Sequence, residues 1–347
     1  MDVGVIMAPP PRRAAQIARL AESLGFKSLL FPDSQNMAPD VWQQLALAAH
    51  ATSTIRLGPG VTNPVTRDPA VTACAALSLH VESGGRAICG IGRGDSSLQR
   101  IGKKPARVAE FEQYLATLQA YLRGETVVRD GFASRLEWRR PDAPQVPVEV
   151  AATGPRVIAA AARHADRIAF AVGADPDHVA WAVETARAAA RAAGRDPASL
   201  RLGAYVNCAV HPDAVVARNA VRGTVATFAR FSALAGAAIA PLPGPLRDAA
   251  THLRAHYDMR DHTRATAEHA RALEDAFIDW FAIAGPLETA LARFRRLAAL
   301  GLDFCHVVPG TAEIDREAAA AMLQAIAAEI VPALAEMGGA AGDRATI

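Results

Sequence analysis

Short apolar runs alternate with helical stretches along most of this chain, and that alternation limits the folds open to it. Eight runs read as strands: Val3–Met7, Ser28–Phe31, Ile55–Val61, Arg86–Ile91, Pro147–Ala151, Arg167–Ala171, Leu200–Val210 and Asp303–Val308. They are mostly short and apolar, as parallel strands covered on both faces should be. The stretches between them hold the helical period, as Ile17, Leu20, Ala21 and Leu24 do before the stop at Gly25. The first of these helices opens at Pro9–Pro11, where proline is tolerated in a first turn. Strand and helix in repeated alternation predict a parallel sheet. Eight such units in 347 residues predict an α/β fold of the TIM-barrel type, (β/α)8.

One domain is expected over residues 1–337, with insertions at about 96–146 and 236–280, after strands four and seven. The first insertion holds a helix over Ala106–Arg123 and a small hairpin turned at Asp130–Gly131. The second is rich in glycine and proline and carries a charged, histidine-containing helix. Residues 338–347 are small and polar and are expected to be mobile. An open doubly wound sheet would put a glycine fingerprint after its first strand, and Met7–Pro11 has none.

Composition excludes several classes of function. The 37 basic and 35 acidic side chains leave a net charge of +2 with no basic tract, which argues against nucleic-acid binding. The start, MDVGVIMAPPPRR, lacks the charge pattern of a secretion signal, and no window reads as a membrane span. A cytoplasmic protein is expected. Cys74, Cys89, Cys208 and Cys305 lack paired spacing and are expected to be free thiols. There is no GxSxG, GxxxxGK[ST] or HExxH motif, and GIGRG at 90–94 is not a dinucleotide fingerprint. His252 and His256 have the spacing of a metal-binding pair but no obvious third ligand, so they read as solvated and no metal is expected.

Chemistry concentrates where the strands end, which is where α/β barrels place their ligands. The stretch GPGVTNPVTRDP, residues 58–69, offers backbone polar groups and small side chains at Gly60, Val61, Thr62 and Asn63. Ala152, Thr153, Gly154 and Pro155 lead into a helix, so unpaired N–H groups and the helix dipole form an anion site there. Arg93, between Gly92 and Gly94, suits a phosphate; a surface salt bridge with Asp95 is an equal alternative at this stage. Asp33, after the second strand, is a candidate general acid or base, or simply a hydrogen-bonded carboxylate.

Four blocks together carry a family resemblance: residues 58–69, SGGRAICGIGRGD at 83–95, KPARVAEFEQYLATLQAYLRGE at 104–125, and VPVEVAATGPRVIAAAARHADRI at 146–168. They resemble the bacterial-luciferase-like flavin-dependent oxidoreductases, and within these the deazaflavin-dependent methylenetetrahydromethanopterin reductase group. The resemblance implies a (β/α)8 barrel that holds coenzyme F420 or FMN at its mouth. It implies a non-prolyl cis peptide at Gly60–Val61, forming a bulge behind the flavin ring, and phosphate binding at Thr153–Gly154. Arg93 departs from the reductases, where proline is common, and looks like the arginine that contacts flavin phosphate in bacterial luciferase. The implied activity is hydride transfer between F420 and a small organic substrate. A monooxygenase using reduced FMN, with a flavin reductase as partner, is the alternative; a noncatalytic flavin-binding protein is a third reading. Alanine-rich outer helices suit a homo-oligomer.

Overall fold

The computed structural model describes residues 1–231, 244–311 and 313–342. Eight parallel strands form the barrel: β1 Asp2–Ile6, β2 Ser28–Phe31, β3 Arg56–Pro59, β4 Cys89–Ile91, β5 Val148–Ala152, β6 Arg167–Phe170, β7 Arg201–Val210 and β8 Phe304–Pro309. Their order around the sheet is β3-β2-β1-β8-β7-β6-β5-β4. Single bridges Leu57–Ala87 and Thr62–Ile91 join β3 to β4 and complete the ring. Two glycines let these strands approach. A Cβ on Gly58 would lie 2.2 Å from the Ile88 carbonyl oxygen, and one on Gly90 would lie 2.0 Å from that of Pro59. Any side chain at either position forces the β3–β4 seam apart.

The eight runs read from the sequence are the eight barrel strands. Their alternating faces divide the interior in two. Val148, Val150 and Ala152 of β5 pack outward among the helices. Glu149 faces the barrel axis, where it is fully buried with Arg167 and His306. Arg167 Nε donates to Glu149 Oε2 at 2.8 Å, and His306 Nε2 lies 2.8 Å from Glu149 Oε1. The Arg167 guanidinium also sits 3.9 Å from the centre of the Phe304 ring. An inner apolar cluster of Leu30, Ala169, Ala171, Tyr205, Phe304 and Val308 fills the rest of the barrel.

Both insertions leave from the positions expected. The first holds the helix Val108–Arg123 and an antiparallel hairpin of Val127–Arg129 with Phe132–Ser134. The second holds the helix Gly244–His256 and returns through Ile283–Gly285, which pairs in parallel with the upper end of β7. Residues 232–243 of that insertion lie outside the described residues, as do 343–347 of the expected tail.

Two expectations are corrected. The first helix spans Ala14–Ser23, so Pro9–Pro11 precede it rather than open it. The stretch Arg316–Met337, at 22 residues, is long and apolar enough by length and composition to cross a bilayer, contrary to the sequence reading. Its alanines raise the mean hydropathy, while its larger apolar side chains have a core to face. Met322, Leu323, Ile326, Ile330 and Leu334 are buried against the barrel, and the Met1 ammonium donates to the Leu334 carbonyl at 2.7 Å.

Candidate active site

The carboxyl ends of the strands converge on a cavity of about 300 Å³, at the small end of the range for organic ligands. Asp33, Gly60, Val61, Gly92, Arg93 and Thr153 line it. The Gly60–Val61 peptide is cis, as the resemblance implies. Val61 and Ala151 pack on the inner cluster, so the cavity floor rests directly on the barrel core.

Asp33 follows β2 and is almost fully buried. Its Oδ2 accepts from Thr62 Oγ1 at 2.7 Å, and its Oδ1 accepts from Gln35 Nε2 at 2.6 Å. Arg67 Nε lies 3.9 Å from Oδ2. Burial raises the Asp33 pKa, against the opposing pull of the Thr62 hydrogen bond and Arg67. Asp33 and Ser34 also line a second cleft of about 440 Å³, with Gln35, Asp40, Thr66 and Arg67. Asp33 thus stands on the wall between two spaces.

Thr62 and Asn63 support this wall instead of lining the cavity. Asn63 Oδ1 accepts from the N–H groups of Val65 and Thr66, at 3.0 and 3.1 Å, and so shapes the turn after the bulge.

At the other end of the cavity, Arg93 Nε donates to the Ala106 carbonyl at 2.6 Å. Among the described residues its terminal nitrogens have no hydrogen-bond partner. Burial lowers the Arg93 pKa, and the nearby charge of Arg156 adds to this. The anticipated alternative, a salt bridge from Arg93 to Asp95, is not formed: Asp95 pairs with Arg230, which also donates to Ser96 Oγ at 3.0 Å. The helix Pro155–His164 begins beside Arg93 with Gly154 as its cap and no side-chain cap. Thr153 and Val157 line the cavity there. Ala152 points outward into the core and Gly154 and Pro155 set the helix start, so these three frame the site without forming its wall. The result is an apolar and glycine-rich middle with a cationic, hydrogen-bond-donating end. That arrangement fits a flat ring carrying a phosphate.

The sequence reading missed the roof. Thr227 and Phe228, on the helix Ala214–Phe231 after β7, and His262 from the second insertion all line the cavity. Gly223 lets this helix meet the insertion, since a Cβ there would lie 2.2 Å from the Thr263 carbonyl oxygen. No local pattern marks these residues as facing a ligand. His252 and His256 stack on each other, ring centres 4.1 Å apart, on an exposed helix face. No group that could hold a metal ion occurs among the described residues. The four cysteines are free, three of them buried.

The chain is similar to known proteins of one family. The model of the luciferase-like monooxygenase family matches residues 3–303. The chain is 33% identical over 237 residues to a 5,10-methylenetetrahydromethanopterin reductase of Methanolobus tindarius, covering 65% of this chain and 71% of the relative. It is 29% identical over 325 residues to the reductase of the same name from Archaeoglobus fulgidus, covering 91% and 94%. The solved structure of a coenzyme F420 dependent tetrahydromethanopterin reductase from Methanopyrus kandleri superposes with a TM-score of 0.75, at 23% identity, over 95% of this chain and 98% of that one.

Proposed function

The chain belongs to the luciferase-like monooxygenase family of oxidoreductases, and from that premise we propose that it transfers a hydride between coenzyme F420 and a small organic substrate. The similarity to the methylenetetrahydromethanopterin reductases supports the cofactor class; it does not carry their substrate over. The observation that bears the reading is the joining of the Gly60–Val61 bulge and the Arg93–Thr153 end in one cavity.

In this reading the bulge and Ala151 support the cofactor ring. Arg93, the Thr153 hydroxyl and the first turn of the helix Pro155–His164 bind its phosphate, with Arg156 adding positive potential. When bound, deazaflavin supplies a ring carbon that takes or gives a hydride and reacts poorly with oxygen; the protein supplies position and electrostatics. Asp33 handles a proton at the substrate: burial raises its pKa, and the hydrogen bonds from Thr62 and Gln35 fix its two oxygens. The cleft beside Asp33 receives the substrate.

The protein acts as a single barrel domain in the cytoplasm and self-associates. Leu47, Val71 and Val81, exposed on the neighbouring helices Val41–Ala51 and Pro69–Glu82, support a contact between copies. A second reading rests on Arg93, which resembles the luciferase residue: a monooxygenase fed with reduced FMN by a flavin reductase. Turnover without oxygen separates the two. F420-linked oxidation or reduction of substrate under anaerobic conditions supports hydride transfer, whereas a strict need for oxygen supports the monooxygenase.

A further inference from the structure

The cavity roof holds a histidine whose protonation can be derived from its neighbours. His262 Nδ1 lies 2.7 Å from Tyr257 Oη, and Tyr257 Oη lies 2.9 Å from Thr227 Oγ1. Thr227 Oγ1 donates to the Gly223 carbonyl at 3.0 Å. A carbonyl only accepts, and a threonine hydroxyl has one hydrogen to give. Thr227 therefore accepts from Tyr257. The phenol hydrogen being committed, Tyr257 Oη accepts from the Nδ1–H of His262.

A neutral imidazole carries one hydrogen, so Nε2 is left as a bare acceptor. Among the described residues Nε2 has no hydrogen-bond partner, and it does not belong to the buried unpartnered atoms. His262 lines the cavity. The ring is neutral at pH 7: burial, then the charges of Arg230, Arg100 and His269, lower its pKa to about 4.

We propose that His262 Nε2 binds a neutral hydrogen-bond donor, an O–H or N–H, of the ligand in this cavity. The inference rests on the reading of the cavity as a cofactor and substrate site. Two donors share that chemistry: the imide N–H of a flavin or deazaflavin ring, and the hydroxyl of an alcohol substrate. Tyr257 and Thr227 act as positioning residues that fix the tautomer.

The test uses the full chain labelled with ¹⁵N-histidine. Long-range ¹H–¹⁵N spectra read each ring nitrogen, and absorbance reads cofactor binding in the same samples. His262 is expected in the Nδ1–H form at pH 7, and Tyr257→Phe should shift it toward the Nε2–H form. If the ring N–H is the donor, F420 or FMN alone moves the Nε2 resonance, and His262→Phe weakens cofactor binding by about three- to tenfold. If a hydroxyl is the donor, cofactor affinity is unchanged in that variant and Nε2 moves only when 2-propanol is added to the cofactor complex. A protonated Nε2 at pH 7 in the wild type overturns the proposal. So does an Nε2 resonance unmoved by bound cofactor and 2-propanol together, which leaves the cofactor reading intact. Absence of binding by both cofactors overturns both.

Discussion

Thr62 Oγ1 donates a 2.7 Å hydrogen bond to Asp33 Oδ2, linking the loop after β3 to the end of β2 inside the cavity wall. This bond opposes the rise in the Asp33 pKa that burial causes. Thr62→Val should therefore raise that pKa further, read by carboxyl ¹³C titration. A carboxylate with a raised folded pKa destabilises the fold once pH exceeds the unfolded value, 3.8, and the cost grows until pH passes the folded value. Asp33→Asn should make the protein more stable at pH 7 by urea denaturation while lowering turnover. Equal or reduced stability in Asp33→Asn would contradict the burial argument.

Arg93→Ala should weaken cofactor binding by about ten- to hundredfold, since one charge-assisted hydrogen bond contributes roughly 1.5–3 kcal/mol. The fold should be retained, because within the described residues the Arg93 side chain makes one hydrogen bond, to the Ala106 carbonyl. Calorimetric titration of wild type and variant checks this. Equal dissociation constants would remove Arg93 from the phosphate end.

The barrel was legible in the sequence because its evidence is periodic and local. Each strand is a run such as Ser28–Phe31, and each helix a spaced pattern, so eight units could be counted. Gly60, Gly92, Arg93 and Thr153 were legible because strand ends are fixed once strands are placed. Thr227, Phe228 and His262 were not. They reach the cavity only through the packing of the helix after β7 against a remote insertion, and no spacing within either segment encodes that contact. The Glu149–Arg167–His306 layer was equally hidden, because its members lie on three different strands and His306 is far along the chain from the other two.

That layer makes a stability prediction. His306 and Arg167 together outweigh burial, the largest single influence, and hold the Glu149 pKa down at about 2, from 4.5. A depressed carboxylate pKa contributes stability above the unfolded value, lost as pH falls from 4.5 toward about 2. Removing one partner of a buried pair costs about 3–5 kcal/mol. Glu149→Gln should thus be much less stable than wild type at pH 7, with the gap narrowing between pH 4.5 and about 2. Urea denaturation across that range measures it; a pH-independent gap would contradict the account.

Gly90→Ala tests the closure of the barrel. The new Cβ would meet the Pro59 carbonyl oxygen at 2.0 Å, a backbone atom that cannot step aside. A loss of at least 1–3 kcal/mol, roughly, is expected from overpacking, seen as a lower midpoint in thermal unfolding. An unchanged midpoint would show that the seam between β3 and β4 is not the tight contact described.

The central claim is the identity of the cofactor and with it the reaction class. The most direct measurement is a side-by-side equilibrium titration of the wild-type protein with F420 and with FMN. Tighter binding of F420 is the predicted result. Binding of FMN with no affinity for F420 would contradict hydride transfer from deazaflavin and favour the monooxygenase reading in its place.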